Sequence, residues 1–236
     1  MNKAPLNSAD FRQTPDGEIE YELGVPIPGP ILLKSEWVQT AIKRLPPPGP
    51  MDWSGLFGRS SALVLDIGCG NGRFTISSAV RRPSVDHIGI DMLPVVIRYA
   101  TRRGNQRGLS NLRFAVCDGY QFLENYVARN SMTEIHIYHP QPFAEVRERH
   151  RRLLSPAFVE LLHQSLIVGG QLFLQSDNRA YWEQIRKVVS PLFTWHEKVE
   201  PWEEDPYGRS RREFIANQKK LPVFRAVATR LDDTSL

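Results

Sequence analysis

A glycine-rich segment, Asp-Ile-Gly-Cys-Gly-Asn-Gly at residues 66–72, has the composition of a turn that binds a ligand with its backbone. Its glycines alternate with larger residues, at Gly68, Gly70 and Gly72. Glycine lets the chain turn tightly and lets a ligand approach the backbone without a Cβ in the way. The dinucleotide-binding pattern G-x-G-x-x-G would need its third glycine at position 73, which is Arg73. The spacing therefore gives less support to a bound pyrophosphate.

Three aspartates each stand at the end of an expected strand: Asp66, Asp91 and Asp118. Carboxylates offer several acceptor lone pairs, so Asp91 can accept from both hydroxyls of a ribose and Asp118 from the exocyclic amine of adenine. A single acid at such a place is more often a helix cap. In an open parallel sheet, however, ligands bind beyond the carboxyl ends of the strands, where all three would meet. Together with the glycine turn they predict a nucleoside site.

Alternating strands and helices are expected to position these residues. Short apolar runs predict five strands and then two late strands with no helix between them, at residues 62–67, 86–91, 112–117, 134–139, 171–175, 193–199 and 223–230. Helices are predicted at residues 74–81, 94–107, 119–129, 155–170 and 180–189. The fourth of these opens at Ser155-Pro156 and is ended by Gly169-Gly170. This alternation indicates an α/β fold whose parallel sheet is covered on both faces.

The first 60 residues differ from the rest because they are rich in proline, including Pro46-Pro47-Pro48. Proline fixes φ and removes a backbone donor, so long regular elements are excluded. One short helix fits at residues 35–44, with Ser35 as its N-cap. We predict a Pro-rich N-terminal arm at residues 1–60 that packs on a main domain at residues 61–236. A disordered tail is the alternative for residues 1–15.

Composition excludes several classes of protein. Of the 236 residues, 41% are hydrophobic and 24% are charged, as in ordinary globular proteins. No apolar run is long enough for a transmembrane helix, and residues 1–13 lack the apolar core of a signal peptide. Cys69 and Cys117 are too few for a disulfide framework or a thiolate zinc site, and no metal site is predicted. These features predict a cytoplasmic protein with no membrane partner, whose net charge of +4 permits an anionic one.

A more specific motif surrounds the end of the fourth strand. It reads Ile-His-Ile-Tyr-His-Pro-Gln-Pro-Phe at residues 135–143, and a basic segment, Arg-Glu-Arg-His-Arg-Arg-Leu-Leu, follows at residues 147–154. The glycine turn resembles motif I of S-adenosylmethionine-dependent methyltransferases. With the motif at residues 135–154 and with Gln175-Ser176-Asp177, the chain resembles the tRNA (guanine-N7)-methyltransferase family, whose fourth strand ends in an N-F-P-D-P-W-like motif. The resemblance covers roughly residues 60–190 and continues weakly to Arg230.

The resemblance implies a Rossmann-like methyltransferase fold, with a seven-stranded, mostly parallel sheet, an antiparallel last strand and helices on both faces. It implies S-adenosylmethionine as the methyl donor and tRNA, or another RNA, as the acceptor, bound by a monomer or homodimer. The cofactor-binding residues that it implies are Gly68, Gly70 and Gly72 at the backbone, Asp66 at the methionyl end, Asp91 at the ribose and Asp118 at the adenine.

The resemblance also implies an acceptor site, and there this chain departs from the family. Gln141 stands at the family's catalytic aspartate, and Glu145 stands at a lysine. The Thr and Glu of the family's C-terminal T-x-F-E motif fall on Arg212 and Ile215 unless the register slips. Gln141 and Asp177 are the expected catalytic residues. The expected substrate-binding residues are Tyr138, Glu145, Arg147, Arg149, Arg151, Arg152, Asp177 and Arg212.

The missing family aspartate bears on the chemistry. Guanine N7 presents a lone pair and needs no proton removed before methyl transfer, so the enzyme mainly aligns donor and acceptor. Gln141 can orient a base but cannot offset the positive charge that the base acquires, which can cost about 10²-fold in rate. A methyltransferase with a different acceptor and a catalytically silent module that binds RNA or a partner both stay open. His139 is interpreted as a satisfied loop histidine, with a general base as the alternative.

Arginine-rich stretches are candidate RNA contacts, because segregated positive charge suits phosphates. Between Met92 and Cys117 there are five arginines and no acid: Arg98, Arg102, Arg103, Arg107 and Arg113. A solvated helix face is the alternative for this stretch. Tyr138 and Phe143 can stack on a base or can anchor a loop.

Overall fold

A seven-stranded sheet forms the centre of the computed structural model, which describes residues 18–205 and 207–232. Outside this sheet, β1 (Tyr21–Glu22) and β2 (Val25–Pro26) form a small antiparallel hairpin. The strands of the large sheet are, in chain order, β3 (Leu63–Ile67), β4 (Asp86–Asp91), β5 (Leu112–Val116), β6 (Met132–Tyr138), β7 (Leu166–Ser176), β8 (His196–Glu197) and β9 (Phe224–Thr229).

The spatial order of the sheet is β5-β4-β3-β6-β7-β9-β8. The strands from β5 to β7 are parallel, and β9 runs antiparallel to both of its neighbours. The central strand β3 is buried along its whole length, which is typical of a parallel strand covered on both faces. The predicted seven-stranded, mostly parallel sheet with an antiparallel last strand is confirmed.

Helices connect most of these strands. The described residues form α1 (Trp53–Phe57), α2 (Arg73–Arg81), α3 (Pro94–Gln106), α4 (Gly119–Tyr126), α5 (Pro156–Ser165), α6 (Arg179–Val189) and α7 (Arg211–Gln218), with 3₁₀ turns at Lys34–Glu36 and Val146–Arg151. Side chains cap the N-termini of α4 to α7, at Asp118, Ser155, Asn178 and Ser210. Within residues 18–205 and 207–232, none of the helices combines the length and apolar character needed to span a bilayer.

Two hydrophobic clusters hold the helices against opposite faces of the sheet. The larger cluster includes Leu65 of β3, Phe122 of α4 and Phe158 of α5, all nearly or completely buried. The smaller cluster joins Ile76 of α2 to Phe114 of β5 on the other face. Successive side chains of a strand point to opposite faces, so Asp66 faces α2 while its neighbour Leu65 faces the larger cluster.

Three sequence-based predictions of helices are wrong. Helix α5 ends at Ser165, and the glycine pair at 169–170 lies inside β7, where Gly169 has a φ of +75° beside a register shift against β6. Glycine inside a strand marks such an irregularity as readily as it ends a helix. Residues 37–44 are not helical, because Ala41 pairs with Phe114 along the edge of β5. A helix, α7, does separate the two late strands.

The proline-rich segment from residue 18 to the start of α1 lies along α3 and β5. Ile27 is fully buried in the smaller cluster, and the Phe114 N–H donates to the Thr40 carbonyl at 2.7 Å. The Thr40 hydroxyl donates in turn to Asn105 Oδ1 at 2.8 Å. The division of the chain at residue 60 stays a prediction, and the tail considered for residues 1–15 lies outside the described residues.

Candidate functional site

The glycine turn between β3 and α2 forms the floor of the candidate site. Gly68 and Cys69 donate their backbone N–H groups to the Ile90 carbonyl, at 2.8 and 2.9 Å, which fixes the turn against β4. Gly72 has a φ of +78°, and a Cβ there would lie 2.8 Å from Phe114 Cζ. A larger residue at this position would therefore push the turn off the sheet. The positions corresponding to a Cβ on Gly68 and Gly70 face open space, so the backbone is open to a ligand there.

Asp91 ends β4, and Asp118 follows the neighbouring strand β5, so both stand at the carboxyl end of the sheet but outside the lining of the pocket described below. Asp91 accepts hydrogen bonds from the Gly70 N–H at 3.0 Å and from the Leu93 N–H at 2.9 Å, so this carboxylate shapes the glycine turn. Asp118 Oδ1 caps α4 by accepting from the N–H groups of Tyr120 and Gln121. One oxygen of Asp118 is thus a helix cap, as the alternative interpretation of the sequence expects. Its assignment to adenine stays a prediction.

Asp66 is buried beneath the turn. Its Oδ2 accepts a hydrogen bond from the Thr75 hydroxyl at 2.6 Å. Burial raises the pKa of Asp66 from its ordinary 3.8 to about 7. Because the folded state binds the extra proton between those values, this group makes the fold less stable as the pH rises through that window. A bound ammonium group beside Asp66 would favour the ionised carboxylate.

A pocket of about 300 Å³ opens above Asp66 and the glycine turn. Four parts of the chain line it: the turn with the start of α2, Val96 of α3, the end of β6 at Tyr138 and His139, and the segment 209–212 that enters α7. These parts are far apart in the sequence, and the sheet brings them together at its carboxyl edge. This is where open α/β sheets bind their ligands.

The segment 209–212 is fixed by Ser210, the N-cap of α7, and by Glu213 in the first turn of that helix. The Ser210 hydroxyl accepts from the Glu213 N–H at 3.1 Å, and Glu213 Oε2 accepts from the Arg209 N–H at 2.7 Å. Glu213 Oε1 also accepts from two nitrogens of Arg225, at 2.6 and 3.1 Å, in a buried ion pair. The S-x-x-E pattern is a recognised signal for a helix start.

The sequence also offers a second register for the C-terminal motif. Ser210 and Glu213 have the spacing of the Thr and Glu in T-x-F-E, two residues before the positions assigned from the sequence. The assignment of Arg212 and Ile215 to that motif stays a prediction.

Arg209 lies in the wall of the pocket, surrounded by aromatic rings. Its guanidinium carbon is 4.0 Å from the Trp202 ring centroid and 5.0 Å from that of Phe74. Arg209 also donates to the Tyr138 hydroxyl and forms an ion pair with Glu204. A buried cation among aromatic faces is strongly attracted to them. No local sequence pattern indicates this role of Arg209.

Two side chains that line the pocket, His139 and Arg212, form a group with Asp177. Asp177 follows β7, and its Oδ2 accepts from Arg212 Nε at 2.8 Å and from a terminal nitrogen of Arg212 at 2.6 Å. Its Oδ1 lies 3.5 Å from His139 Nδ1. Hydrogen bonds from His139 and Arg212 keep the pKa of Asp177 well below its usual range, so the carboxylate is ionised. The structure thus joins the predicted residues Asp177 and Arg212 to His139.

The loop after β6 carries the other predicted acceptor residues on its surface. Gln141 is exposed, and Glu145 is paired with Arg147 at 2.8 Å outside the pocket. Three of the predicted substrate-binding arginines are exposed beside this loop: Arg147, Arg149 and Arg151. The assignments of these residues to a substrate stay predictions.

Arg152 differs from the other predicted substrate-binding arginines. It is buried, and it donates to the Pro142 carbonyl at 2.7 Å and to the side chain of Gln184. These bonds fix the loop onto α6, and the assignment of Arg152 to a substrate stays a prediction without support from its contacts. Tyr138 is also buried, and its hydroxyl is bonded to His136 Nδ1 at 2.7 Å and to Arg209, so its ring can form only a wall of the pocket.

Two carboxylates of the N-terminal segment reach the edge of the glycine turn. Glu22 accepts from Asn71 Nδ2 at 2.5 Å and forms an ion pair with Arg73 at 3.4 Å. Glu20 forms ion pairs with Arg103 at 2.8 Å and Arg107 at 3.1 Å. Arg103 and Arg107 are therefore neither RNA contacts nor part of a solvated helix face, as the sequence analysis had them, because the N-terminal segment covers them.

Comparison with known proteins agrees with this geometry. A family model described as "Putative methyltransferase" (Methyltransf_4) matches residues 60–225. A curated relative from Halorhodospira halophila, named tRNA (guanine-N(7)-)-methyltransferase, is 33% identical over 64% of this chain and 65% of its own length. The match thus spans less than two thirds of that relative. The predicted resemblance to tRNA (guanine-N7)-methyltransferases is confirmed.

Solved structures share the fold at low sequence identity. The structure of the 16S rRNA methyltransferase KamB aligns with a TM-score of 0.62 at 15% identity, over 82% of this chain and 99% of that one. Phosphoethanolamine N-methyltransferase 2 of Haemonchus contortus, in complex with S-adenosylhomocysteine, aligns with a TM-score of 0.51 at 15% identity, over 78% and 54% of the two chains. By its family match over residues 60–225 and by its sheet, the chain belongs to the methyltransferase family that the model describes.

Proposed function

We propose that this chain transfers a methyl group from S-adenosylmethionine to N7 of a guanine in tRNA. The observation that carries the proposal is the pocket that joins the glycine turn to the end of β6 and to the segment 209–212, in a chain that resembles tRNA (guanine-N7)-methyltransferases. A cytoplasmic location belongs to the same proposal. A monomeric or homodimeric state stays a prediction.

The residues around the pocket fit S-adenosylmethionine. The backbone at Gly68 and Gly70 is open on the side that a ligand would approach, and Asp91 lies at the turn with a carboxylate suited to ribose hydroxyls. Asp118 next to it is assigned to the adenine, and the buried Asp66 to the ammonium of the methionyl end. When bound, the cofactor supplies an electrophilic methyl group on a positively charged sulfur.

The chain's own task is then mainly alignment. The N7 lone pair forms the new N–C bond while the C–S bond pair returns to sulfur, so S-adenosylhomocysteine leaves and the base gains a positive charge. No proton has to be removed from N7 before transfer. Holding the two reactants in line supplies most of the rate enhancement. Exposed Gln141 adds no negative charge to offset that of the base.

Exposed arginines beside the pocket support an RNA acceptor. Arg147, Arg149 and Arg151 follow the loop after β6, and Arg211 lies at the start of α7 on the pocket wall. Phosphates are recognised mostly by such arginines, with an affinity that falls as salt rises. The surrounding surface can thus guide an RNA backbone past the pocket.

Product analysis tests this function. The purified protein is incubated with methyl-labelled S-adenosylmethionine and unmodified tRNA transcripts, and the RNA is digested to nucleosides and analysed by mass spectrometry. We expect the label in 7-methylguanosine. Label at another position would show a methyltransferase with a different acceptor. Binding of S-adenosylhomocysteine without any labelled product from total RNA would indicate a silent binding module.

Replacing Glu22 by glutamine is expected to weaken S-adenosylhomocysteine binding about tenfold. The change removes the charge that Arg73 pairs with and weakens the bond to Asn71 within the glycine turn, and a hydrogen bond to a charged group is worth roughly 1.5–3 kcal/mol. Calorimetric titration measures the affinity. The matched control is Glu36→Gln in the same segment, whose carboxylate bonds only the exposed Leu33 N–H among the contacts described here. Equal affinities of both variants would contradict a link between Glu22 and the turn.

A further inference from the structure

His139 has an unusual backbone for a residue with a large side chain. Its φ is +51°, in the left-handed region, and its N–H donates to the Gln175 carbonyl at 2.9 Å. Such conformations cost of order 1–3 kcal/mol and are found where the surroundings impose them, often at functional sites. The result is a side chain that is only 3% exposed and lines the pocket opposite the glycine turn.

Asp177 orients the imidazole ring. One carboxylate oxygen lies 3.5 Å from His139 Nδ1, and the other is bound by Arg212. An ionised carboxylate only accepts hydrogen bonds, so Nδ1 carries its proton toward Asp177. Distances of this kind are often long before a ligand is bound and shorten in the complex.

The other ring nitrogen, Nε2, is buried and has no hydrogen-bond partner among the described residues. A buried polar atom left unpaired is costly, and such atoms are normally paired with protein, water or ligand. Because the ring lines the pocket, a ligand bound there can supply the hydrogen-bond partner of Nε2. A carboxylate beside one ring nitrogen favours the imidazolium form of a histidine, in which the other ring nitrogen is a donor.

The hydrogen-bonding groups of the acceptor base determine which of its atoms Nε2 can contact. At the edge that contains N7, guanine presents two acceptors, N7 and O6, whereas adenine presents N7 and a donor amine. N7 must keep its lone pair for the methyl group. A donor beside the reacting atom can therefore recognise guanine only through O6, and it would clash with the amine of adenine.

We propose that His139, oriented by Asp177, donates a hydrogen bond from Nε2 to O6 of the guanine whose N7 is methylated. The proposal rests on the proposed function. It makes His139 a specificity-determining residue and Asp177 a positioning residue. It also gives a role to a buried histidine two residues before Gln141.

Two variants separate the roles of the two ring nitrogens. Gln at position 139 can place an amide donor near the site of Nε2, whereas Asn reaches only the site of Nδ1. Asn also tolerates the left-handed backbone well. We expect His139→Gln to keep kcat within about tenfold of the unchanged protein and His139→Asn to lower it by about 10²-fold, because only the former retains a donor that reaches O6. S-adenosylhomocysteine affinity, measured by calorimetry, should be unchanged in both.

A modified substrate tests the contact itself. Once the methylated guanine has been mapped, a transcript carries 2-aminopurine at that position, which keeps N7 but lacks O6. The unchanged protein should methylate this transcript about 10–100-fold more slowly than guanine, whereas His139→Asn should methylate both at similar low rates. If both proteins lose the same factor on 2-aminopurine, His139 does not contact O6 and the inference fails. Absence of 7-methylguanosine with the unchanged protein would instead overturn the proposed function.

Discussion

Replacing Asp91 by alanine is expected to weaken S-adenosylhomocysteine binding about 100-fold. The carboxylate shapes the glycine turn through the Gly70 N–H and is the proposed acceptor for the ribose hydroxyls. Hydrogen bonds to a charged group are worth roughly 1.5–3 kcal/mol each, and 1.4 kcal/mol is a tenfold change in affinity. Isothermal titration calorimetry of the purified variant measures the loss.

Two further variants control for indirect effects. Asp52→Ala removes the N-cap of α1, which accepts from the Gly55 N–H at 2.9 Å away from the pocket, and should leave the affinity unchanged. Asp91→Asn keeps one acceptor oxygen and should lose affinity by an intermediate factor. An Asp91→Ala protein that binds within threefold of the unchanged protein would show that the ribose is not bound by this residue.

Replacing Glu213 by alanine is expected to lower the free energy of unfolding by about 3–5 kcal/mol. The side chains of Glu213 and Arg225 are 1% and 5% exposed, and removing the acid leaves a buried guanidinium without its charge partner. It also removes the acceptor of the Arg209 N–H, so the segment 209–212 loses its anchor at the pocket. Urea denaturation followed by circular dichroism gives the free energy.

The matched control is Glu183→Ala, which breaks an exposed ion pair with Arg179 and should cost less than about 1 kcal/mol. Glu213→Gln keeps the size and an acceptor oxygen, and it provides a measurable variant if the alanine protein does not fold. We expect it to be less stable than the unchanged protein and to bind S-adenosylhomocysteine more weakly. A Glu213→Gln protein as stable as Glu183→Ala would rule out a structural role for the buried pair.

Local sequence patterns could predict the glycine turn and the aspartates at the carboxyl edge of the sheet. The β3–turn–α2 unit is encoded within residues 62–81, and the parallel alternation brings the strand ends at Asp91 and Asp118 to the same edge. Both inferences use information contained in one supersecondary unit or in the sheet topology. This is why the fold and the position of the pocket were predictable.

The remaining features depend on partners far away in the chain. The pair of His139 with Asp177 joins residues 38 positions apart, and Arg212 reaches Asp177 across 35. The sequence places Arg103 on a basic helix face, but in the structure Glu20 of the N-terminal segment pairs with it. Spacing and composition contain no information on such contacts. Only the start of α7 could be predicted locally, because Ser210 and Glu213 form the S-x-x-E pattern that marks the beginning of a helix.

The pairing of Glu20 with Arg103 and Arg107 has a consequence for how the chain folds. Arg103 is synthesised 83 residues after its partner Glu20. Contacts of such long sequence separation form slowly because the intervening loop must close first. The N-terminal segment is therefore expected to dock on the domain only after α3 has been synthesised.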